Sequence, residues 1–299
     1  MRRLPSTDGV EVAVYDWAGA GLRDPNAVAG LRDPNAVAGG RPLLFAHATG
    51  MCAGVWAPLA SRLAPAFGSY GLDLRGHGRS TQPAHGTEGI WRGFTADVRA
   101  AVDGLGLDRP VGVGHSSGGA ALLMAEADRP GTFSALWCYE PIVWPERARA
   151  QGRAERMAEG ARRRRDRFPS RQDAHENFAA KPPFSTLDPE ALRGYIDGAF
   201  AEAPDGSVTL SCPRDVEADI YLRALDDDRF ARLPEVACPT VVAAGGRVDA
   251  IGAGIATQLV EALPRARLRV FDDLSHFGPL EHPDRVAAAI VADIVADVE

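Results

Sequence analysis

The residues with the most chemical promise are two neighbouring serines, Ser116 and Ser117, held between Gly114 on one side and Gly118 and Gly119 on the other. Gly114-His115-Ser116-Ser117-Gly118 satisfies the pattern G-x-S-x-G. The run PVGVGHS (110–116) predicts a buried strand, and SGGAALLMAEADRP (117–130) predicts a helix stopped before proline. A strand that turns this abruptly into a helix leaves no room for side chains at its flanks, hence the glycines. The central serine is forced outward at the helix N-terminus, and the next backbone N–H points to where an oxyanion would form. Ser116 is therefore the candidate nucleophile and Ser117 the candidate donor of one oxyanion-binding N–H. A serine hydroxyl is a poor nucleophile at neutral pH and needs a base. The chain offers seven histidines.

Positioning such a turn requires a sheet with helices around it, and the rest of the chain predicts one. Strands are expected at 9–17, 41–50, 110–116, 133–143, 239–246 and 266–273, and 67–80 reads as a short strand running into a glycine turn. Helices are expected at 55–65, 91–106, 117–130, 254–264 and 283–298. Apolar strands alternating with helices predict a mostly parallel α/β sheet covered on both faces. Residues 144–233 break this rhythm. They are rich in Arg, Glu and Pro, read as several helices without buried strands, and carry Phe168, Phe178, Phe184, Tyr195, Phe200 and Tyr221. So many aromatics argue for a folded helical cap inserted into a core made of 1–143 and 234–299, rather than a disordered linker. GLRDPNAVA occurs at 21–29 and again at 30–38. Two copies are too few for a solenoid, and the segment reads as a tandem duplication in a surface loop.

Composition narrows the function. The 299 residues carry a net charge of −7, with 45% hydrophobic and 24% charged residues, which suits a soluble globular protein and calls for neither nucleic acid nor an anionic membrane. Lys181 is the single lysine. The arginine run at 162–166 reads as a solvated helix face. Cys52, Cys138, Cys212 and Cys238 lie far apart without metal or redox spacing, as free thiols in a reducing compartment do. The opening residues lack the apolar stretch of a secretory signal, and no apolar run approaches the ~18 residues of a membrane span. A cytoplasmic location is expected; a homodimer is compatible with all of this.

Four motifs in order resemble those of the α/β-hydrolase fold: FAHATG (45–50), GLDLRGHGRS (71–80), AAGGRVDA (243–250) and LSHFGPLEHPDRVA (274–287), around the serine turn. The resemblance covers nearly the whole chain outside the insertion and the duplicated loop. It implies His276 as the base and Asp249, three residues after Gly246, as the acid that orients it, in the chain order Ser116…Asp249…His276. Glu140, at the end of the strand after the serine helix, is the alternative acid, since some members place theirs there. The backbone N–H of Thr49 is implied as the second oxyanion donor, although Ala48 stands where glycine is common. His47, His77 and His115 fall in turn motifs and are assigned structural roles; His85, His175 and His282 are assigned to the surface.

These residues imply a serine hydrolase acting, without metal or organic cofactor, on an ester or lactone of a medium-sized, fairly apolar small molecule. Carbon–carbon bond hydrolysis of a diketone-type substrate uses the same constellation, with perhydrolysis as a side reaction. A non-catalytic ligand-binding member of the fold is the alternative outside enzymes. Relatives that dehalogenate or open epoxides carry aspartate where this chain has Ser116. Trp56, Trp91, Trp137 and Trp144 divide between core and pocket in a way the sequence leaves open.

Overall fold

A computed structural model describes residues 1–17, 41–64, 67–145, 152–226, 228–247 and 252–296. The duplicated segment 21–38 lies outside them.

The strands are β1 (Arg2–Pro5), β2 (Glu11–Asp16), β3 (Leu43–Ala46), β4 (Ser69–Leu72), β5 (Val111–His115), β6 (Ala135–Tyr139), β10 (Thr240–Gly245) and β11 (Ala266–Phe271). They form one sheet in the order β1-β2-β4-β3-β5-β6-β10-β11. β1 pairs antiparallel with β2, and β2 antiparallel with β4; every later pairing is parallel. The central strands are buried on both faces, so they read as continuous apolar runs. Their alternation still divides the core in two. Phe45, Val113, Trp137 and Ala243 point to one face and pack with residues of α1 (Ala57–Leu63) and α10 (Pro283–Ala296). Leu44, Ala46, Leu136, Cys138 and Val242 point to the other. They meet α2 (Ile90–Leu105), α3 (Ser117–Asp128) and α8 (Gly252–Ala262).

Between β6 and β10 the chain forms α4 (Arg153–Arg163), α5 (Arg171–Ala179), α6 (Pro189–Gly198) and α7 (Arg214–Leu222). It also forms a small antiparallel sheet, β7-β9-β8, from Arg167–Phe168, Val208–Leu210 and Phe200–Glu202. The sequence predicts only helices here; strands of two or three residues are too short to display a period of two. Helix starts follow local chemistry. Asp188 caps α6 by accepting from the N–H groups of Glu190 (2.8 Å) and Ala191 (3.3 Å), with Pro189 in the first turn.

Five of the six aromatics are core. Phe168, Phe178, Phe184, Tyr195 and Phe200 pack with ring centroids 4.7–5.9 Å apart and join the core on the α1/α10 face of the main sheet. The contact between segment and main sheet is close. A Cβ on Gly54 would strike the carbonyl of Gly194, and one on Gly194 that of Gly54, so α6 lies directly on the turn that leads into α1. The arginine run departs from a solvated face at one position. α4 ends at Arg163 and the chain extends at Arg164, which turns that side chain inward to buried Glu217 at 2.8 Å.

Candidate active site

Ser116 sits between β5 and α3 with φ 55° and ψ −117°, a backbone conformation that side-chain-bearing residues rarely adopt. Hydrogen bonds fix it on both sides. Its N–H donates to the Tyr139 carbonyl (3.0 Å), and its own carbonyl accepts from Ala120 (3.1 Å) and Ile142 (3.1 Å). The glycine flanks are sterically required. A Cβ on Gly114 would lie 2.6 Å from the Gly119 Cα, and one on Gly118 would run into the Ala46 carbonyl oxygen. Ser117 is the first residue of α3, so its N–H has no partner within the helix.

His276 lies in the loop between β11 and α9 (Gly278–Glu281). Its Nδ1 is 2.7 Å from Oε2 of Glu140, which is fully buried at the end of β6. The other carboxylate oxygen, Oε1, accepts from the Gly245 N–H at 3.0 Å, and the Glu140 N–H donates to the Ala243 carbonyl at 2.8 Å. Glu140 has φ 42°, so its backbone too is turned into a sparsely populated region to reach this place. With Nδ1–H directed at the carboxylate, Nε2 is the basic nitrogen of the ring. The Tyr139 hydroxyl donates to the Ser275 carbonyl at 2.7 Å and anchors the histidine loop. The imidazole of His115, next to Ser116 in the chain, lies 4.6 Å from that of His276 between ring centroids. Glu140 is thus the carboxylate that the described residues bring to His276. Asp249 lies outside them.

The loop after β3, which carries Thr49, is held by two buried histidines. Nε2 of His47 accepts from the Leu74 N–H (3.0 Å) while its Nδ1 donates to the Ala48 carbonyl (2.8 Å). Nε2 of His77 accepts from the Gly50 N–H (3.0 Å) while its Nδ1 donates to the Arg75 carbonyl (2.9 Å). Each ring must be neutral with its proton on Nδ1 to do this. Burial pushes His47 down to about 3 and His77 down to about 4. Asp73 ties the next turn to the same loop: it accepts from the N–H groups of Ala53 (2.7 Å) and Arg79 (2.8 Å) and from the Tyr15 hydroxyl (3.0 Å). Burial raises its carboxyl to about 6. Gly50, at φ 77°, marks where the segment between β6 and β10 presses on this loop, since a Cβ there would sit 2.6 Å from Glu217 Oε1.

Ser116 and Thr49 line one open cleft of about 550 Å³, counting the solvent-open space at its mouth. Its other walls are Trp91, Ile142, Trp144, Arg153, Ala154, Met157, Tyr221, Ala224 and Leu225, so most of it is apolar. Trp144 and Trp91, the latter also packed in the buried core, line the cleft, whereas Trp56 and Trp137 are buried core only.

The model for the alpha/beta hydrolase family matches residues 43–289, which takes in Ser116, Glu140, His276 and the Thr49 loop. The chain belongs to the alpha/beta hydrolase family. Among curated relatives it is 25% identical to a non-heme haloperoxidase of Rhodococcus erythropolis, over 98% of this chain and 99% of that protein. It is 30% identical to lipase LipV of Mycobacterium tuberculosis, over 79% of this chain and 86% of the relative. Among solved structures, E-2-(acetamidomethylene)succinate hydrolase superposes with a TM-score of 0.75 at 19% identity, covering 98% of both chains. That likeness concerns the fold.

Two features of this family member's site escape sequence reading. The partners of His47 and His77 are backbone N–H groups 27 residues away, and sequence spacing alone identifies no such partner. Arg153 reaches the cleft from the first turn of α4, and the arginine-rich stretch around it gives no reason to single it out.

Proposed function

We propose that this chain is a serine hydrolase that cleaves an ester or lactone of a medium-sized, largely apolar molecule through an acyl-enzyme on Ser116. The carrying observation is the strained Ser116 turn opening onto the cleft while the His276 imidazole is oriented by Glu140 at 2.7 Å.

Nε2 of His276 takes the Ser116 hydroxyl proton as Oγ attacks the acyl carbon. Glu140 holds the Nδ1–H tautomer and stabilises the imidazolium without itself taking the proton. The N–H groups of Ser117 and Thr49 receive the charge that builds on the carbonyl oxygen. His276 then protonates the leaving oxygen, which departs, and activates a water that attacks the acyl-enzyme and restores Ser116. Residues 144–233 act as a cap over the serine, supplying Trp144, Arg153, Met157 and Tyr221 to the cleft wall. The lipase relative supports this reading.

A fluorophosphonate probe should label the wild type and leave Ser116→Ala unlabelled. Turnover of short p-nitrophenyl esters should fall at least about a thousandfold in the same variant. Folded wild type that neither labels nor turns over these esters would overturn the proposal.

A further inference from the structure

We propose that the cleft above Ser116 takes substrates bearing a carboxylate, which Arg153 binds; this rests on the hydrolase reading and specifies its substrate class. Among the described residues of the cleft wall, Arg153 is the charged one and the others are apolar or neutral. Its Nη1 is buried and has no hydrogen-bond partner among the described residues. The guanidinium lies 5.3 Å from the centre of the Trp144 ring, which supports its face but accepts no hydrogen bond. Neighbouring arginines on the same helix and just after it are paired: Arg163 with Glu159 at 2.9 Å and Arg164 with Glu217 at 2.8 Å.

A buried donor without an acceptor is costly, and in a substrate cleft the missing acceptor is naturally supplied by the ligand. Arg153 is also the first residue of α4, after Gly152 in the left-handed region. Ala154 and Met157 line the same cleft, so the N-terminal turn of an 11-residue helix faces it and adds the positive end of the helix dipole. Glu155, in that turn, is exposed and is not part of the cleft wall. The Tyr221 hydroxyl already donates to Glu217 Oε1 at 3.0 Å. One guanidinium against apolar walls matches one carboxylate; a phosphate dianion would leave charge uncompensated in an apolar cleft. The substrate is therefore an ester or lactone with an apolar body and one carboxylate within the span of the cleft.

Mono-p-nitrophenyl glutarate and its methyl ester differ in this single charge. The wild type should prefer the acid, and in Arg153→Gln the acid-to-methyl-ester ratio of kcat/KM should fall about 10- to 100-fold, mainly through KM. Arg153→Lys, which keeps the charge but loses the planar fork, should retain part of the preference. A ratio unchanged in Arg153→Gln, or a wild type that prefers the methyl ester, overturns the proposal. Equilibrium binding of monomethyl glutarate to Ser116→Ala, followed by tryptophan fluorescence, separates this claim from the catalytic one. If no ester is turned over, saturable binding that disappears on adding Arg153→Gln upholds the anion site while the hydrolase reading fails. No saturable binding defeats the anion site whatever the turnover.

Discussion

At Ser116 the backbone is held at φ 55° by hydrogen bonds to Tyr139, Ala120 and Ile142, a conformation that costs on the order of 1–3 kcal/mol unless its surroundings enforce it. The same enforcement operates at Glu140, at φ 42°, whose carboxylate bridges the Gly245 N–H and His276. Glu140→Gln can still accept from Gly245, so the fold should persist. Its amide N–H₂ facing Nδ1 would, however, favour the tautomer that places the ring proton on Nε2, where it cannot receive the serine proton. We expect kcat to fall on the order of 10³–10⁴-fold, with circular dichroism unchanged, and Asp249→Asn to stay within a few-fold of wild type. The reverse pattern would return the role to Asp249. The sequence order points to Asp249 because it follows β10 at the customary spacing. What favours Glu140 is a parallel register that puts the end of β6 beside Ala243 and the histidine loop, a contact across 136 residues that linear spacing does not reveal.

Among the elements, glycine placement separates tight contacts from open ones. Gly118, in the first turn of α3, sits where a Cβ would meet the Ala46 and His47 carbonyls, backbone atoms of β3 and the loop beyond it, which have little freedom to withdraw. Gly118→Ala should therefore cost at least about 1–3 kcal/mol, read as a lower urea midpoint, and displace the Thr49 loop enough to lower kcat. Gly160, exposed in α4 with nothing near a Cβ, is the converse: Gly160→Ala should stabilise by about 0.5–1 kcal/mol. Equal effects at the two sites would contradict the steric account. The serine-bearing strand–turn–helix was legible because its glycines follow from local crowding, and the long strands and helices because each shows several periods of its pattern. β1 was not, since its residues Arg2–Pro5 show no apolar alternation, nor were β7, β8 and β9, whose two or three residues carry too little periodicity, and the inward turn of Arg164 depends on where α4 stops.

For the molecule as a whole, the histidines that organise the site also set its acid tolerance. His47, His77 and His115 are buried and neutral; burial pushes them to about 3, to about 4 and well below 6.5 respectively, the last with help from nearby His276. In the unfolded chain each takes up a proton near pH 6.5, so between pH 6.5 and about 4 the unfolded state binds more protons and stability falls as the pH falls. Asp73 acts in the opposite sense. Burial raises it to about 6 from an ordinary 3.8, so the folded state holds the extra proton in that interval and gains as the pH drops. Asp97, raised by burial against its Arg75 partner, adds to this opposition. Three groups against two leave a net difference on the order of one proton, a loss of about 1.4 kcal/mol per pH unit near pH 5. Urea midpoints at pH 7.5, 6.5, 5.5 and 4.5 should be flat above 6.5 and decline below it. His77→Gln, which keeps an acceptor for the Gly50 N–H but cannot take a proton, should decline less steeply by about 1.4 kcal/mol per unit. A midpoint that holds constant to pH 4.5, or a His77→Gln slope equal to that of wild type, would show that these rings do not govern the acid limit of the fold.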